Sequence, residues 1–560
     1  MRMVSTVVGC ATALVATPAI AAVIHVSPAD GNTAYTKIEG AKAGDEVVIA
    51  PGTYAFRVYL QTAAPANNPI YIHAEDPSNP PVWDPGGLVE NAPGSYTAGD
   101  RGRGCWQVSG GTNYHIDGIV FRNCRTSTFN SAGLRYYSGT SGLLITNCVF
   151  KGNDDGLTGG TGNSEATVEY CEFDSNGNTS ASTSSPTHNI YVYGGTFTLR
   201  YSYLHDPVQG QNLHCRAVTS TIEYDWFDRA KSYVGDLMTS DDYANNPTGS
   251  LAQTMTLRGN VIIEASTQAN TGQIFALYND EAPGSPVSFA VTALYNTVIG
   301  AGAHAAFLHL SNADHTQMSA VVHDNIVYGT SQPVLVEDAA HATVSGANNW
   351  MQTGATLTGL TGITGTVFGT SPGFNGAASL DFTLATGSAC IGAANHGVTG
   401  LPTQEYFENE TVRRMYRARA SALDIGAFEH TTTGVGIGPY GSDGGVASAP
   451  DGGGAMDATV AGEGGGGGVT DASAGGGPDS GTGAGADAGA GPATDSAFFG
   501  SEDATPPSGT SPRSSGGCGC RVGSEPRASG IGLLGLGAVA FAFARRRTRR
   551  RGRTRTVISR

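Results

Sequence analysis

Charge is scarce in this chain: Asp, Glu, Lys and Arg make up only 14% of its 560 residues. What charge there is leans acidic, 47 Asp and Glu against 31 Lys and Arg, for a formal net charge of −16. Nine of the arginines lie in the tail from Arg545 onward, so the remainder is more acidic still. A surface of that sign argues against nucleic acid and anionic membrane as partners. An acidic polysaccharide would need a bridging cation. Helical periodicity is missing too. No 3.6-residue apolar face of useful length lies between the strand-like segments, which excludes helical repeats. Cys105, Cys124, Cys148, Cys171, Cys215 and Cys390 match no zinc spacing. No C-terminal apolar run reaches the roughly 20 residues of an ordinary membrane span; the run from Gly530 to Ala544 falls short of it.

What is present at the two ends implies export. MRMVSTVVGCATALVATPAIAA has one early Arg, an apolar run and the A-x-A signal Ala19-Ile20-Ala21, so residues 1–22 read as a signal peptide. Residues 431–515 are mostly Gly, Ala, Ser, Asp and Pro. They hold too little apolar surface to offset the entropy of ordering, so they read as a disordered linker. Residues 516–560 carry GGCGC, the short apolar run as a transmembrane helix, and RRRTRRRGRTR. The arginines would stay on the cytoplasmic side during export. The folded domain is therefore 23–430. An exported chain permits disulfides, Cys105–Cys124 among them, although spacing does not fix connectivity.

A repeat sets the expected fold. LLITNCVF (Leu143–Phe150), ATVEYCEF, FTLRYSYL, TIEYDWF, TLRGNVI, LYNTVI and VHDNIV all alternate with period two, which argues strand. Each puts a small polar residue in one column: Cys148, Cys171, Ser202, Asp225, Asn260, Asn296 and Asn325. The intervals run from 23 to 36 residues, and self-similarity at that period means a solenoid. Stacked Asn side chains can bond one another up such a column. Cys148 over Cys171 then reads as a small buried stack. A second column of strands begins near Ala132, Asp155, His188, Asn212, Gly235, Gly272 and Ala305. The chain is thus expected to be all-β, a right-handed parallel β-helix; parallel crossovers are overwhelmingly right-handed.

Several stretches carry a family resemblance. AGDEVVIAPGTY (Ala43–Tyr54), NPIYIHAED (Asn68–Asp76) and DFTLATGSACIGAANHG with SALDIGAFE (Asp381–Glu429) resemble secreted pectate-lyase-like β-helix proteins with a choice-of-anchor terminal element. HNIYV…GQNLHCRA…IEYDWFDRAKSYVGDL resembles a stretch recurring among such proteins, which has a Lys near the place of His214. Residues 516–555 resemble the myxobacterial-type C-terminal sorting signal (MYXO-CTERM). That resemblance implies processing near Cys518 or Cys520. The protein would be displayed on the outer membrane at the cell surface, or secreted after processing, as a monomer.

Candidate chemistry follows from alternation. Leu134, Leu157, Ile190, Leu213 and Leu237 should point inward, leaving Arg135, Tyr137, Tyr191, Tyr193, His214, Arg216 and His309 outward. Outward aromatics and arginines on stacked coils suit an extended polysaccharide. For eliminative cleavage of a uronate, a base must reach the carbon beside the carboxylate, whose charge must be balanced. Arg216 or His214 is the expected base and Arg135 or Ca²⁺ the neutraliser, with Tyr137, Tyr191, Tyr193, His188 and Lys231 as substrate contacts. The acids Asp154 and Asp155 after LLITNCVFKGN admit three readings: an Asx-type turn, a Ca²⁺ site with Asp174, or a hydrolase pair. Adjacent strand residues point apart, and LHCRA does not match the Arg-x-Lys motif of polygalacturonases. Two functions remain: a lyase for an acidic glycan, or a non-catalytic adhesin or glycan binder.

Overall fold

In a computed structural model, the described residues are 21–438 apart from 96–102, 182–186, 246–248, 265–272, 282–283, 302–305, 396, 407–415, 422 and 431–435. Most of the residues read above as signal peptide and linker, and all of those read as a sorting signal with a transmembrane helix, lie outside them. Among the described residues no helix is long and apolar enough to cross a membrane.

Alternation becomes strand wherever one face can be buried. In Val287–Leu294 the Val, Phe and Val at alternate positions are buried, while Ser288, Ala290 and Thr292 are half-exposed. Parallel ladders join such strands coil after coil into a right-handed parallel β-helix with three faces. Among the described residues one sheet has 13 strands, from Val23–Val26 to Ile363–Thr364; a second has 10, from Val58–Leu60 to Gln332–Val336; the third has 12, from Thr53–Tyr54 to Val367–Gly369. The sequence pattern suggested two columns. LLITNCVF is in fact two strands, Leu143–Thr146 in the first sheet and Val149–Lys151 in the third, joined at a corner.

One residue makes that corner. Asn147, Tyr170, Tyr201, Tyr224, Tyr295, Asp324 and Asn348 all have φ between 51° and 59°. A single left-handed residue turns the chain sharply, at a small steric cost for a non-glycine. The next residue then points inward and forms the predicted column. Cys148 N donates to Cys171 Sγ at 3.4 Å, Cys171 N to Ser202 Oγ at 3.1 Å, and Ser202 N to Asp225 Oδ1 at 2.8 Å. Asp225 N donates to Asn260 Oδ1 at 2.9 Å, and Asn260 N to Asn296 Oδ1 at 3.0 Å. Asn296 N donates to Asn325 Oδ1 at 2.9 Å, and Asn325 N to Asn349 Oδ1 at 3.0 Å. Burial holds Asp225 far above the usual carboxylate range, so it sits neutral in this asparagine-like place. A second ladder of Asn153, Asn176, Asn189 and Asn212 was not anticipated. It is linked side chain to side chain at 2.9, 2.9 and 2.8 Å.

Both ends of the coil are managed. The short helix Tyr35–Glu39 packs against the first strands through buried Ile38. Near the other end, the described segments between residues 372 and 430 pack against the third sheet. Phe382, Tyr406, Ala427 and Phe428 cover the outward apolar residues Tyr203, Trp226 and Val261, while Leu384, Cys390 and Ile425 cover Ile326 and Trp350. Cys105 and Cys124 form a disulfide with a Cα–Cα distance of 5.7 Å. Cys148, Cys171, Cys215 and Cys390 are free thiols, all buried.

Candidate active site

The ten-stranded sheet carries the candidate residues. Its register aligns Gln107, Arg135, Thr158, Tyr191, His214 and Asp236 in one outward column. Strand spacing of about 4.8 Å makes neighbours of residues more than 20 positions apart. Outward here does not mean solvent-exposed: Arg135, Tyr191, Tyr193, His188, His214, Arg216 and Asp236 are all buried. Part of the cover is the helical turn Asp241–Asn245, which begins where Asp241 N donates to Tyr193 O at 2.9 Å.

His214 is the best-oriented titratable group. Its Nδ1 lies 3.0 and 2.9 Å from the two Asp236 oxygens. Asp236 Oδ2 also accepts from Gln211 Nε2 at 2.9 Å, and Oδ1 from Cys215 N at 3.1 Å. The carboxylate thus holds the imidazole proton on Nδ1, leaving the Nε2 lone pair toward Arg216, whose Nε donates at 3.4 Å. The His188 ring stacks on His214 with centroids 4.7 Å apart. Burial, with His214 and Arg216 adding to it against the Gln211 hydrogen bond, holds His188 neutral well below the usual histidine range.

Arg216 is not a base. Its side chain is 2% exposed, with Nη2 2.8 Å from Asp280 Oδ2, Nη1 3.3 Å from Asp241 Oδ1, and Nη1 donating to Thr239 O at 2.7 Å. Burial works against its charge, but Tyr191, Asp280 and Asp241 outweigh it and lift the guanidinium above its ordinary range. Asp236, one coil on from Arg216, is taken by His214. Arg216 is therefore the cation beside the candidate base. Arg135 stands three strands away; its Nη2 donates to Tyr193 Oη at 2.6 Å and its Nη1 to Asn130 O at 3.2 Å. Tyr193 meets Tyr191 edge-on at 4.4 Å, and Tyr191 meets His214 at 4.5 Å, so an aromatic chain links the two ends of the cluster. Tyr137, half-buried beside Arg135, donates to Gln107 Oε1 at 3.0 Å. Lys231 is exposed in the turn that precedes Gly235–Met238, outside the buried group.

The two adjacent acids divide as a strand requires. Asp154 Oδ2 accepts from Thr126 N at 2.8 Å, Ser131 N at 3.2 Å and Thr126 Oγ1 at 3.3 Å; its Oδ1 accepts from Asn178 Nδ2 at 2.8 Å. Four donors make it a structural clamp between coils. Asp155 points into the site sheet, accepts from His188 N at 2.6 Å, and is pushed up to about 8 by burial, with Asp154 adding to the rise. Neither acid joins Asp174. Register sets Asp174 opposite Lys151, which it pairs at 2.6 Å, on the third sheet. The ligand group around Asp174 is Glu172 and His205, with ligand atoms within 4.8 Å of one another. The expected Ca²⁺ set of Asp154, Asp155 and Asp174 is therefore not assembled. Asp154 spends its lone pairs on four protein donors and Asp155 accepts from His188 N, whereas a hard cation wants several oxygens turned toward it.

A pH prediction follows for Asp155. Its folded-state pKa lies above its ordinary value, so the stability it lends is full below about pH 4. That stability falls as pH rises toward about 8, then levels off. Asp155→Asn removes this loss. Thermal melts at about pH 5 and about pH 8.5 should show the variant gaining on the native protein at the higher pH. An equal difference at both would show that Asp155 is not held neutral.

Asp236, Asp241 and Asp280 were missed as site members. Asp236 lies in the site column, in GDLMTS, and its parity was readable. Asp241 (TSDDY) and Asp280 (NDEAP) sit in turns, where no period reports direction.

No family model matches the chain, and no curated protein matches it. Solved structures similar to it include pectate lyase Pel9A, at 15% identity over 73% of this chain and 96% of that one, with a TM-score of 0.46. A mannuronic acid specific polysaccharide family 6 lyase from human gut microbiota is 12% identical over 64% and 84%, with a TM-score of 0.40. The catalytic unit of the GH87 alpha-1,3-glucanase of Streptomyces thermodiastaticus strain HF3-3 is 14% identical over 63% and 66%, with a TM-score of 0.36. At these values the likeness is one of coil architecture, and one architecture hosts many chemistries.

Proposed function

We propose that the chain is an exported, surface-displayed polysaccharide lyase that cleaves an acidic, uronate-containing glycan by β-elimination. The observation that carries this is the Asp236–His214 pair, with the Nε2 lone pair turned toward Arg216 in a buried, tyrosine-lined column. His214 Nε2 takes the proton from the carbon beside the uronate carboxylate. That electron pair forms the new carbon–carbon double bond, and the neighbouring glycosidic C–O bond breaks with its electrons on the leaving oxygen. Asp155, kept neutral, carries a proton for that oxygen. Arg216 balances the developing charge at the carboxylate, and Arg135 holds a uronate further along the ladder. The buried setting strengthens each of these interactions. No step runs through Ca²⁺, since the donors of Asp154 and Asp155 do not suit it. The disulfide within the coil accords with an oxidising destination.

One observation favours a second reading, a non-catalytic glycan-binding β-helix or adhesin: Asp241 and Asp280 already balance Arg216. Ultraviolet absorbance of unsaturated uronates, followed with the full chain on pectate, alginate and chondroitin, decides between them. The lyase gives a rise that His214→Ala lowers by about 100-fold or more. Asp236→Asn lowers kcat more than KM, because it disturbs the tautomer rather than the glycan contacts. Retention of glycan without any rise would leave the binder.

A further inference from the structure

A second cluster lies beyond the site column, in turns that follow the last two strands of the ten-stranded sheet. Ala306–Ser311 leads into His315, and Gln332–Val336 leads into Asp338 and His341. His315 Nδ1 lies 2.6 Å from Asp338 Oδ2, and His341 Nδ1 lies 2.7 Å from the same oxygen. The two rings stand 5.0 Å apart, tilted by 42°. We infer that His315, Asp338 and His341 form a binding site for a divalent transition metal ion of the zinc class.

Three features separate this group from ordinary surface ion pairs. First, two imidazoles aim the same nitrogen at one carboxylate oxygen, and all three ligand atoms lie within 4.8 Å of one another. Asp338 Oδ1 is engaged by Ala340 N at 2.9 Å, which fixes the carboxylate and leaves both imidazoles converging on Oδ2. That is the arrangement in which a cation can replace both shared protons. Second, the backbone beneath is locked. Asp338 N donates to Asn312 Oδ1 and Asn312 Nδ2 to Asp338 O, both at 2.8 Å; His315 N donates to Asn312 O at 2.9 Å. Asn312 thus ties the two turns together, so the ligands come from a preformed frame. Third, His315 has φ 70°, a left-handed conformation that costs a non-glycine residue but turns its ring back over the next coil.

The donor set selects the ion. Two imidazole nitrogens and one carboxylate oxygen suit Zn²⁺ and its first-row neighbours, whereas Ca²⁺ and Mg²⁺ want oxygen alone. Zinc–nitrogen bonds of about 2.0–2.1 Å place neighbouring ligand atoms a little over 3 Å apart. The present separations need to open by about 0.5 Å to admit such an ion. The side chains can do this: His315 is 71% exposed and His341 34%. Solvent is at hand to fill the fourth position. The site is independent of the polysaccharide reading, because none of its members touches His214, Arg216 or Arg135.

The test is a Zn²⁺ titration of the full chain against a chromophoric chelator, native protein beside the double variant His315→Ala/His341→Ala. Both histidines are substantially exposed, so the variant should fold normally. The cysteines and every other potential ligand are common to both proteins, so the difference isolates this site. The native chain should bind one more equivalent of Zn²⁺ than the double variant. Each single variant should bind that equivalent at least about tenfold more weakly, the usual order for loss of a ligand-sphere group. Added Zn²⁺ should also raise the melting temperature of the native chain more than that of the double variant. Equal stoichiometry and equal affinity in the native and doubly substituted chains would overturn the proposal.

Discussion

Arg216→Met should destabilise the folded protein by about 3–5 kcal/mol, the range for breaking a buried ion pair by removing one partner. The side chain is buried and balances two carboxylates, at 2.8 Å from Asp280 and 3.3 Å from Asp241. Methionine fills most of the volume but leaves both acids without a cation, and Thr239 O without its donor. The loss should depend on pH. Burial already lifts Asp241 to about 6, and the Arg216 guanidinium beside it keeps it from rising further. Without the guanidinium the folded-state value climbs while the unfolded value stays near the ordinary one. A raised folded value means stability is lost as pH rises. Urea denaturation should therefore give a larger difference from the native protein at about pH 8 than at about pH 5. Arg216→Met/Asp280→Asn should recover part of it. A difference under about 1 kcal/mol would mean that solvent reaches the pair, as at an exposed ion pair.

Asn296→Ala should cost about as much, for a different reason. Asn296 Oδ1 accepts from Asn260 N at 3.0 Å and Asn260 Nδ2 at 2.9 Å; its Nδ2 donates to Leu257 O at 3.0 Å and Asn325 Oδ1 at 2.8 Å. Truncation strands the Asn260 amide and relieves the Leu257 carbonyl of a donor, inside a column of fully buried residues. Each such group costs about 1–3 kcal/mol, and a small cavity adds to it. A total of about 3–5 kcal/mol is expected by chemical denaturation. Asn296→Asp should be milder in acid than at neutral pH, since a protonated carboxyl can stand in for the amide, as Asp225 does in the same column. Alanine tolerated within about 1 kcal/mol would show that the ladder is not a principal source of stability.

These two effects mark where sequence and structure part company. The column Cys148, Cys171, Ser202, Asp225, Asn260, Asn296, Asn325 was readable because it recurs at one place in period-two segments, and a solenoid stacks equal places. The outward parity of Arg135, Tyr191, Tyr193, His214 and Arg216 was readable for the same reason: alternation along a strand is local. The corner was not. A left-handed Asn147 or Tyr170 leaves the alternation of its neighbours intact, so two strands in two sheets read as one. Partners across turns were not readable either. Asp241 and Asp280 reach Arg216 through connections without period, and the same holds for Asn312 beneath Asp338.

The acid pair shows the division most plainly. Sequence by itself determined that Asp154 and Asp155 follow a strand and must point apart, because successive side chains in an extended chain alternate. Tertiary structure alone decided what each became. Asp154 met four donors from neighbouring turns and became a clamp. Asp155 met the burial of the site sheet, which disfavours its charge, and became a neutral acid. Local geometry sets the direction of a side chain, but the dielectric and the donors around it come from residues one or more coils away. No spacing along the chain encodes those.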